Sequence, residues 1–490
     1  MTYKKDDLVN VTITDIGNDG EGIGKIDGYT LFIKDSLPGD HVKAKIMKAK
    51  KGYAFAHLEE VMIPSPDRVK PRCPIARQCG GCQLQALSYE AQLRYKQDKV
   101  KNNLVHIGGF DEDFIKGIME PIGGMEEPYR YRNKAQYPVG YNKEGKLIAG
   151  FFAGRTHSII SCSDCLLGAE DNKEIVNRIL TWMRCFGITA YDEEKGKGTV
   201  RHILIRKGFA TGQIMICLVI NSPRLPHKEE LVSSLSEIKG VKSISYSINT
   251  EKNNVIMGTD YHTVFGEDTI EDRIGRLRFK ISPLSFYQVN PVQTENMYGK
   301  ALEYAALTGN ESVWDLYCGI GTISLSMADK AGQIYGVEVV PQAIEDARNN
   351  ARSNNIENAT FFAGKAEEVL PAFYESKEAE NKKMRHPDVI IVDPPRKGCD
   401  EECLKTMLKM APERIVYVSC DSATLARDLK YLTAGGYELK AVKPYDNFPQ
   451  TVHVEVCCLL EQLKSAKEHI EITIDAEDYY RIKDSEKETE

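Results

Sequence analysis

The sequence predicts a doubly wound α/β domain at its C-terminal end, preceded by a small N-terminal β-barrel and a central α+β region. Three observations carry this. Apolar strands alternate with helical segments from residue 285 to about 462, short strands separated by Gly-rich turns fill residues 1–62, and a Pro-rich linker, PSPDRVKPR, divides the two regions. A chain of 490 residues is too long for one core, since domains run about 100 to 200 residues. Four segments follow: 1–62, 63–284, 285–462, and a charged tail from 463 to 490 with nine acidic and five basic residues.

In the first segment, VNVTITDIG, YTLFIKDSLPGD and HVKAKIMKAKKGYAFAHLEEV alternate with period two between Gly and Asp-Gly turns, the pattern of a small all-β barrel. Lys43, Lys45, Lys48, Lys50 and Lys51 adjoin Tyr53 and Phe55, a combination suited to an RNA backbone and stacked bases. An edge strand blunted by lysines explains the same residues. After the linker, AQLRYKQDKVKNNLVHIG has apolar residues at helical spacing. Net charge is 64 − 71 = −7, so no global positive field draws the protein to nucleic acid. Between Arg68 and Lys101, however, eight Lys or Arg face two acidic residues, which suggests a local basic surface. The YRYRNK run, Tyr129 to Lys134, suggests a second, and a wet sheet face would look the same.

In the last segment, DLYCGIGTISLSMA sets Gly319 and Gly321 in a strand-to-helix turn, where backbone can approach a ligand closely. Glu338, ending the next strand in YGVEV, is placed to accept bonds from ribose hydroxyls. Without a full G-x-G-x-x-G, the turn favours an adenosine ligand such as S-adenosylmethionine over a dinucleotide. Asp393 ends the apolar strand of IIVDPPRKG at the edge where ligands of such sheets bind. Cys420 ends that of RIVYVSC, with Ser422 and Thr424 ready to cap the next helix, whose N-terminus would lower the thiol pKa from about 8.5. His453 and Glu455, two apart in TVHVEV, share one face of a strand. Thirteen cysteines, an odd number, argue against a disulfide framework. Cys73, Cys79 and Cys82, the last two separated by Gly-Gly, form a three-thiol run needing a fourth ligand, for which Cys162 and Cys165 are nearest; iron-sulfur and zinc both suit such thiols. No secretory leader or membrane span is read, and a cytoplasmic protein with no obligate protein partner is expected.

CPIARQCGGCQLQALSYEAQLRYKQDKV, SFYQVNP, DLYCGIGT, DPPRKG, SCDSATLARDL and FPQTVHVE occur in that order. Together, over residues 5 to 462, they resemble the bacterial 23S ribosomal RNA (uracil-5-)-methyltransferases of the RumA type. The resemblance implies a TRAM barrel that binds RNA, a central domain with a [4Fe-4S] cluster, and a Rossmann-like methyltransferase domain using S-adenosylmethionine. By motif, it implies Cys73, Cys79, Cys82 and Cys165 as cluster ligands, leaving Cys162 as an extra. It implies Gln288, Tyr317, Glu338 and Asp393 as cofactor contacts, Cys420 as nucleophile, Glu455 as base and Phe286 as the aromatic that stacks with a nucleobase. Lys365, where relatives often have Asp, departs from the pattern on the adenine side.

Uracil C5 is too weak a nucleophile to take a methyl group directly, and thiolate addition at C6 makes it one; Cys420 is expected to add and Glu455 to remove the C5 proton afterwards. The target base must be unpaired or flipped. The T-loop uridine of tRNA would undergo identical chemistry. An RNA-binding iron-sulfur protein without catalysis is the alternative of another class, opposed by the joint presence of Cys420, Asp393 and Glu455.

Overall fold

The computed structural model describes residues 3–154, 156–253, 255–376 and 386–463; most of the expected tail lies outside them. Strands β1 (Leu8–Ile16), β2 (Gly22–Ile26), β3 (Tyr29–Ile33), β4 (His41–Ala49) and β5 (Tyr53–Ile63) close into a barrel in the order β1-β2-β3-β5-β4. Alternation puts Val11, Ile13, Leu31, Ile33, Val42, Ala44, Ile46, Ala54, Ala56 and Leu58 inside. Outside, Phe32, Tyr53 and Phe55 pack with ring centroids 5.6 to 5.8 Å apart, and Lys48, Lys50 and Lys51 stay exposed nearby.

The barrel is bolted to the linker by a buried carboxylate. Asp40 accepts from the amides of Leu37 and Ser65, at 2.7 and 2.9 Å, and from the Arg68 guanidinium. Burial raises its pKa, but these donors outweigh that and hold the carboxyl below its ordinary range.

Helix α1 (Tyr89–Asn103), capped by Ser88, runs into one π-helical turn, Leu104–Gly108, and α2 (Glu112–Ile118) follows. The basic surface expected between Arg68 and Lys101 is present in part: Lys70, Arg72, Arg77 and Arg94 are exposed, and the other four cations are drawn into the fold. Arg68 is committed to Asp40, Arg94 to Asp67 and Lys101 to Asp98 and Glu112, while Lys96 and Lys99 turn inward to the chain near residue 450. YRYRNK is likewise structural rather than wet. Tyr131 is buried, Arg130 donates to the Cys165 and Gly168 carbonyls, and Asn133 donates to the Gln288 carbonyl.

The central region holds β6 (Lys134–Tyr141), β7 (Leu147–Phe152), β8 (Ile159–Ser161), α3 (Asp171–Cys185), β9 (Val200–Lys207), β10 (Ile214–Ile220), α4 (Lys228–Ser236), β11 (Val241–Ile248) and β12 (Asp260–Gly266). They form a seven-stranded sheet ordered β12-β11-β10-β9-β6-β7-β8, with α3 and α4 packed on one face. The hairpin β13 (Ile270–Ile274) and β14 (Leu277–Ile281) packs its Ile270, Ile274, Leu277, Phe279 and Ile281 into the core of the C-terminal sheet.

That sheet is built from α5 (Pro291–Ala305), β15 (Ser312–Asp315), α6 (Thr322–Met327), β16 (Gln333–Glu338), α7 (Pro341–Ser353), β17 (Ala359–Ala363), α8 (Ala366–Tyr374), β18 (Val389–Val392), α9 (Glu401–Met410), β19 (Arg414–Ser419), α10 (Ser422–Ala434), β20 (Tyr437–Tyr445) and β21 (Glu455–Gln462). Strand order is β17-β16-β15-β18-β19-β21-β20, parallel through β19, with β21 antiparallel to both neighbours. Helices α5 to α7 bury one face; α8 to α10 bury the other, joined by Val100 of α1 and by Leu104. This is the doubly wound architecture expected. Among the described residues no helix is long and apolar enough to cross a membrane.

Replacing Asp40 by Ala strands the Arg68 guanidinium, and loss of one partner of a buried pair costs about 3–5 kcal/mol. The expected outcome is faster proteolytic cleavage within residues 64–72, read by limited proteolysis, with the C-terminal sheet still protected.

Candidate active site

Strand register creates the site. Ser419 pairs with Val456 across the antiparallel β19–β21 ladder, so one step further Cys420 lies opposite Glu455, the first residue of β21. On the other side of β19, the parallel partner β18 ends at Val392, and Asp393 follows. The sheet thus delivers a thiol and two carboxyls to one edge. Gln288, just before α5, closes the group, its Nε2 donating to Asp393 Oδ2 at 3.3 Å.

The charges sit badly together, and that is informative. Burial raises the Glu455 pKa well above the ordinary carboxyl range and the Asp393 charge raises it further; burial raises Asp393 too, with Asp315 adding to it. The Cys420 thiol is pushed up to about 12 by burial and by the Glu455 and Asp393 carboxyls, with the Arg396 guanidinium opposing them. The expected depression of the Cys420 pKa by the helix N-terminus is therefore not what the structure gives, because two carboxyl groups and desolvation outweigh a dipole. The cap differs as well. Asp421, not Ser422 or Thr424, is the N-cap of α10, accepting from the Ala423 and Thr424 amides.

Glu455 is 3% exposed and its Oε2 has no hydrogen-bond partner among the described residues, while the buried Asn447 amide faces the carboxyl and favours its charged form. A buried polar atom left unpaired calls for an explanation, and a polar ligand or an ordered water would supply one. His453 does not share a strand face with Glu455, as expected from spacing. β21 begins only at Glu455, and His453 lies in the preceding segment, half-buried, its pKa lowered to about 4 by burial and by the cations Arg396, Lys99 and Lys96.

The other side of the edge is formed by the turn after β15. Gly319 and Gly321 take φ of 53° and 84°, values that an L side chain rarely adopts; at Gly319 a Cβ would meet nothing, so conformation rather than packing requires glycine there. Asn350 of α7 fixes the turn by donating to the Ile320 carbonyl at 3.1 Å. Glu338 ends β16 and accepts from the Val340 amide at 3.0 Å, with Val339 and Val340 exposed beside it as apolar surface. Tyr317 turns partly into the opposite core, against Cys399 and Cys403. Lys365 stands at the N-cap of α8 with no capping bond and pairs with Glu368. Phe286 is 70% exposed, a ring held out in solvent.

Asp315, the strand-end aspartate of DLYCG, escaped the sequence reading. It is buried, its Oδ2 accepts from Ser324 Oγ at 2.6 Å, and its Oδ1 is unpaired. Burial raises its pKa to about 6. Its place before the glycine turn was the available signal; Asn447 had none.

Cys73, Cys79, Cys82, Cys162 and Cys165 line one cavity of about 340 Å³ together with Arg132 and Lys134. Gly80 packs on the backbone of Gly154, where a Cβ would come within 3.1 Å, so the glycines let the thiol loop lie against the sheet edge. Burial and neighbouring thiols push Cys82 and Cys162 up to about 12. Among the described residues no group of three His, Cys, Asp or Glu is arranged to hold a metal ion, so the expected ligand set is gathered but not closed on a centre. A second cavity, about 490 Å³, runs between the barrel (Phe32, Lys34, Phe55), the thiol loop (Arg77) and Val452 and His453 near the catalytic edge.

Residues 88–463 match the model of the tRNA (Uracil-5-)-methyltransferase family, and residues 7–58 match the TRAM domain. An uncharacterized RNA methyltransferase of Halalkalibacterium halodurans is 50% identical over 93% of this chain and 97% of its own, and one of Clostridium tetani is 48% identical over 94% and 97%. The crystal structure of Pyrococcus abyssi tRNA (uracil-54, C5)-methyltransferase in complex with S-adenosyl-L-homocysteine is similar, with a TM-score of 0.72 and 26% identity, over 92% of this chain and 100% of that one. The chain belongs to the tRNA (uracil-5-)-methyltransferase family and is an S-adenosylmethionine-dependent RNA (uracil-5-)-methyltransferase with a TRAM domain at its N-terminus.

Proposed function

We propose that this enzyme methylates uracil C5 in 23S ribosomal RNA through a covalent bond between Cys420 and uracil C6. The convergence of Cys420, Glu455 and Asp393 at one sheet edge carries the mechanism. A neutral thiol at rest protects Cys420 until uracil arrives to accept its charge. The Cys420 thiol and the Glu455 carboxyl lose their protons to solvent water once substrate is bound, the thiolate sulfur adds to C6 and the C5=C6 electrons move toward O4, with Glu455 left as a carboxylate able to act as base. S-Adenosylmethionine supplies the methyl group as a sulfonium. Gln288 and Asp393 hold the reacting partners at the strand ends, Glu338 holds ribose, and Phe286 stacks on or replaces the flipped base. Glu455, whose Oε2 is unpaired, takes the C5 proton; the ring double bond re-forms and the C6–S bond breaks, returning the thiolate.

The rRNA assignment rests on the resemblance stated above together with the barrel and the five gathered thiols. The cavity joining barrel aromatics to the His453 segment supports an RNA path to the catalytic edge. The donor set of five soft sulfurs beside two cations fits a [4Fe-4S] centre held by Cys73, Cys79, Cys82 and Cys165, and binding it would release thiol protons. A tRNA target is the second reading, favoured by the tRNA enzyme of Pyrococcus abyssi that the fold matches.

Incubation with S-adenosylmethionine and 5-fluorouracil-substituted RNA is expected to give a denaturation-resistant adduct with 23S rRNA and none with Cys420→Ala. Adduct with tRNA alone would move the target, and turnover by Cys420→Ala would end the covalent route. In the resting enzyme, alkylation of Cys420 by iodoacetamide, followed by peptide mass spectrometry, should rise about tenfold per pH unit from pH 7 to 9, because only the thiolate reacts. A rate flat across that range would contradict a raised pKa. Anaerobically purified protein should contain iron and acid-labile sulfide in equal amounts; zinc without sulfide would refute the cluster.

A further inference from the structure

We infer that Lys96, on a helix outside the C-terminal sheet, is a positioning residue for the proton-removal step, acting through the segment 446–453 that joins β20 to β21. The inference rests on the reading of Glu455 as the base.

That segment has three hydrogen bonds of its own, from the Thr451 amide and hydroxyl to the Phe448 carbonyl and from the His453 amide to Thr451 Oγ1, and the rest of its bonding comes from outside. The Asp446 carbonyl accepts from Gln293 Nε2 at 3.3 Å, that of Asn447 from Asn290 Nδ2 at 3.1 Å, and that of Phe448 from Lys96 Nζ at 3.0 Å. Tyr131 Oη donates to the Pro449 carbonyl at 3.0 Å, the Gln83 and Leu84 amides donate to that of Gln450 at 3.1 and 3.0 Å, and Lys99 Nζ donates to that of Val452 at 3.0 Å. Gln92 grips Gln450 twice, donating to its Oε1 at 3.1 Å and accepting from its amide at 3.0 Å. Gln450 itself takes φ of +71°, a strained value for a residue with a side chain, which persists only where surroundings over-determine it.

Lys96 and Asp446, an ion pair with both side chains wholly buried, sit at the centre of this clamp. A buried pair of this kind adds little net stability, because desolvation offsets its attraction, and apolar residues of similar volume often serve as well. What it does fix is position. Asp446 immediately precedes Asn447, whose buried amide faces the Glu455 carboxyl, and it directly follows Tyr445, which pairs in register with Glu455. Cys420 hangs on β19 and the start of α10, which α1 reaches through Asn103, donating to Ser422 Oγ at 2.7 Å about two turns beyond Lys96. Loosening the pair should therefore disturb proton removal more than thiol addition.

The test uses the full-length enzyme, S-adenosylmethionine and RNA carrying [5-³H]uridine. Methyl incorporation and tritium release are followed in single turnover, with the covalent complex on denaturing gels. In the wild type the two signals should rise together. In Lys96→Met/Asp446→Leu, which removes both charges and keeps apolar bulk, methyl incorporation should remain near wild type while tritium release slows by about ten- to a hundredfold, the range expected for sub-ångström to 1 Å misplacement. Methylated covalent complex should then accumulate, and kcat should fall with KM for RNA unchanged. Gln92→Leu, which frees Gln450 but leaves the ion pair, should show a weaker form of the same split and reports in place of the double variant if that does not fold. Equal slowing of both signals, or none, overturns the inference. Glu455→Gln separates it from its premise. Accumulated complex in Glu455→Gln but not in the clamp variants overturns the inference alone, whereas its absence in Glu455→Gln removes the base reading and this inference with it.

Discussion

Everything at the catalytic edge depends on one constraint, the crowding of a thiol and carboxyl groups that cannot all be charged at once. Cys420 and Glu455 meet because β21 runs antiparallel into an otherwise parallel sheet, making them register partners one step past the last ladder pair. Asp393 and Asp315 add acidic groups from neighbouring strand ends. Each raises the pKa of the next, so the resting site favours neutral forms. Such a site is a poor home for a thiolate but a good one for a charge passed into a substrate ring. On the covalent route proposed above, the same electrostatics that would damp adventitious alkylation of Cys420 would make its addition conditional on a bound base.

A site so unfavourable to charge has to be held in place by structure around it. The doubly wound sheet supplies part of this, with both faces of β15, β18 and β19 buried under helices. The rest comes from α1 and the chain leading into it, which reach across the fold to bind carbonyls of the segment before β21. Lysines and tyrosines that would otherwise face solvent are consumed there. RNA attraction is left to more local features, such as the exposed lysines and the three packed aromatics of the barrel.

Elements whose signal is local were legible in the sequence. The barrel strands follow from period-two alternation, the helix after the linker from apolar spacing, and the α/β alternation from apolar runs ending in Glu338, Asp393 and Cys420. Sequence spacing placed each of those residues at a strand end because strand ends are where apolar runs stop. What it misread were properties that depend on partners distant in the chain. Lys96 and Tyr131 look like nucleic-acid ligands until Asp446 and Pro449, more than three hundred residues later, are seen to bind them. His453 looked strand-paired with Glu455 because spacing cannot reveal that the strand begins two residues late. The direction of the Cys420 shift failed for the same reason, since the helix N-terminus is written next to it whereas Glu455 is not.

The thiol cavity shows how far such reasoning extends. Cys73, Cys79 and Cys82 come from one loop, Cys162 and Cys165 from another, and the two meet only because Gly80 lets the first lie against the sheet edge at Phe152 to Gly154. The amides of Gln83 and Leu84, immediately after Cys82, bind the strained Gln450 carbonyl. The loop that gathers thiols is therefore covalently continuous with a wall of the segment leading to Glu455.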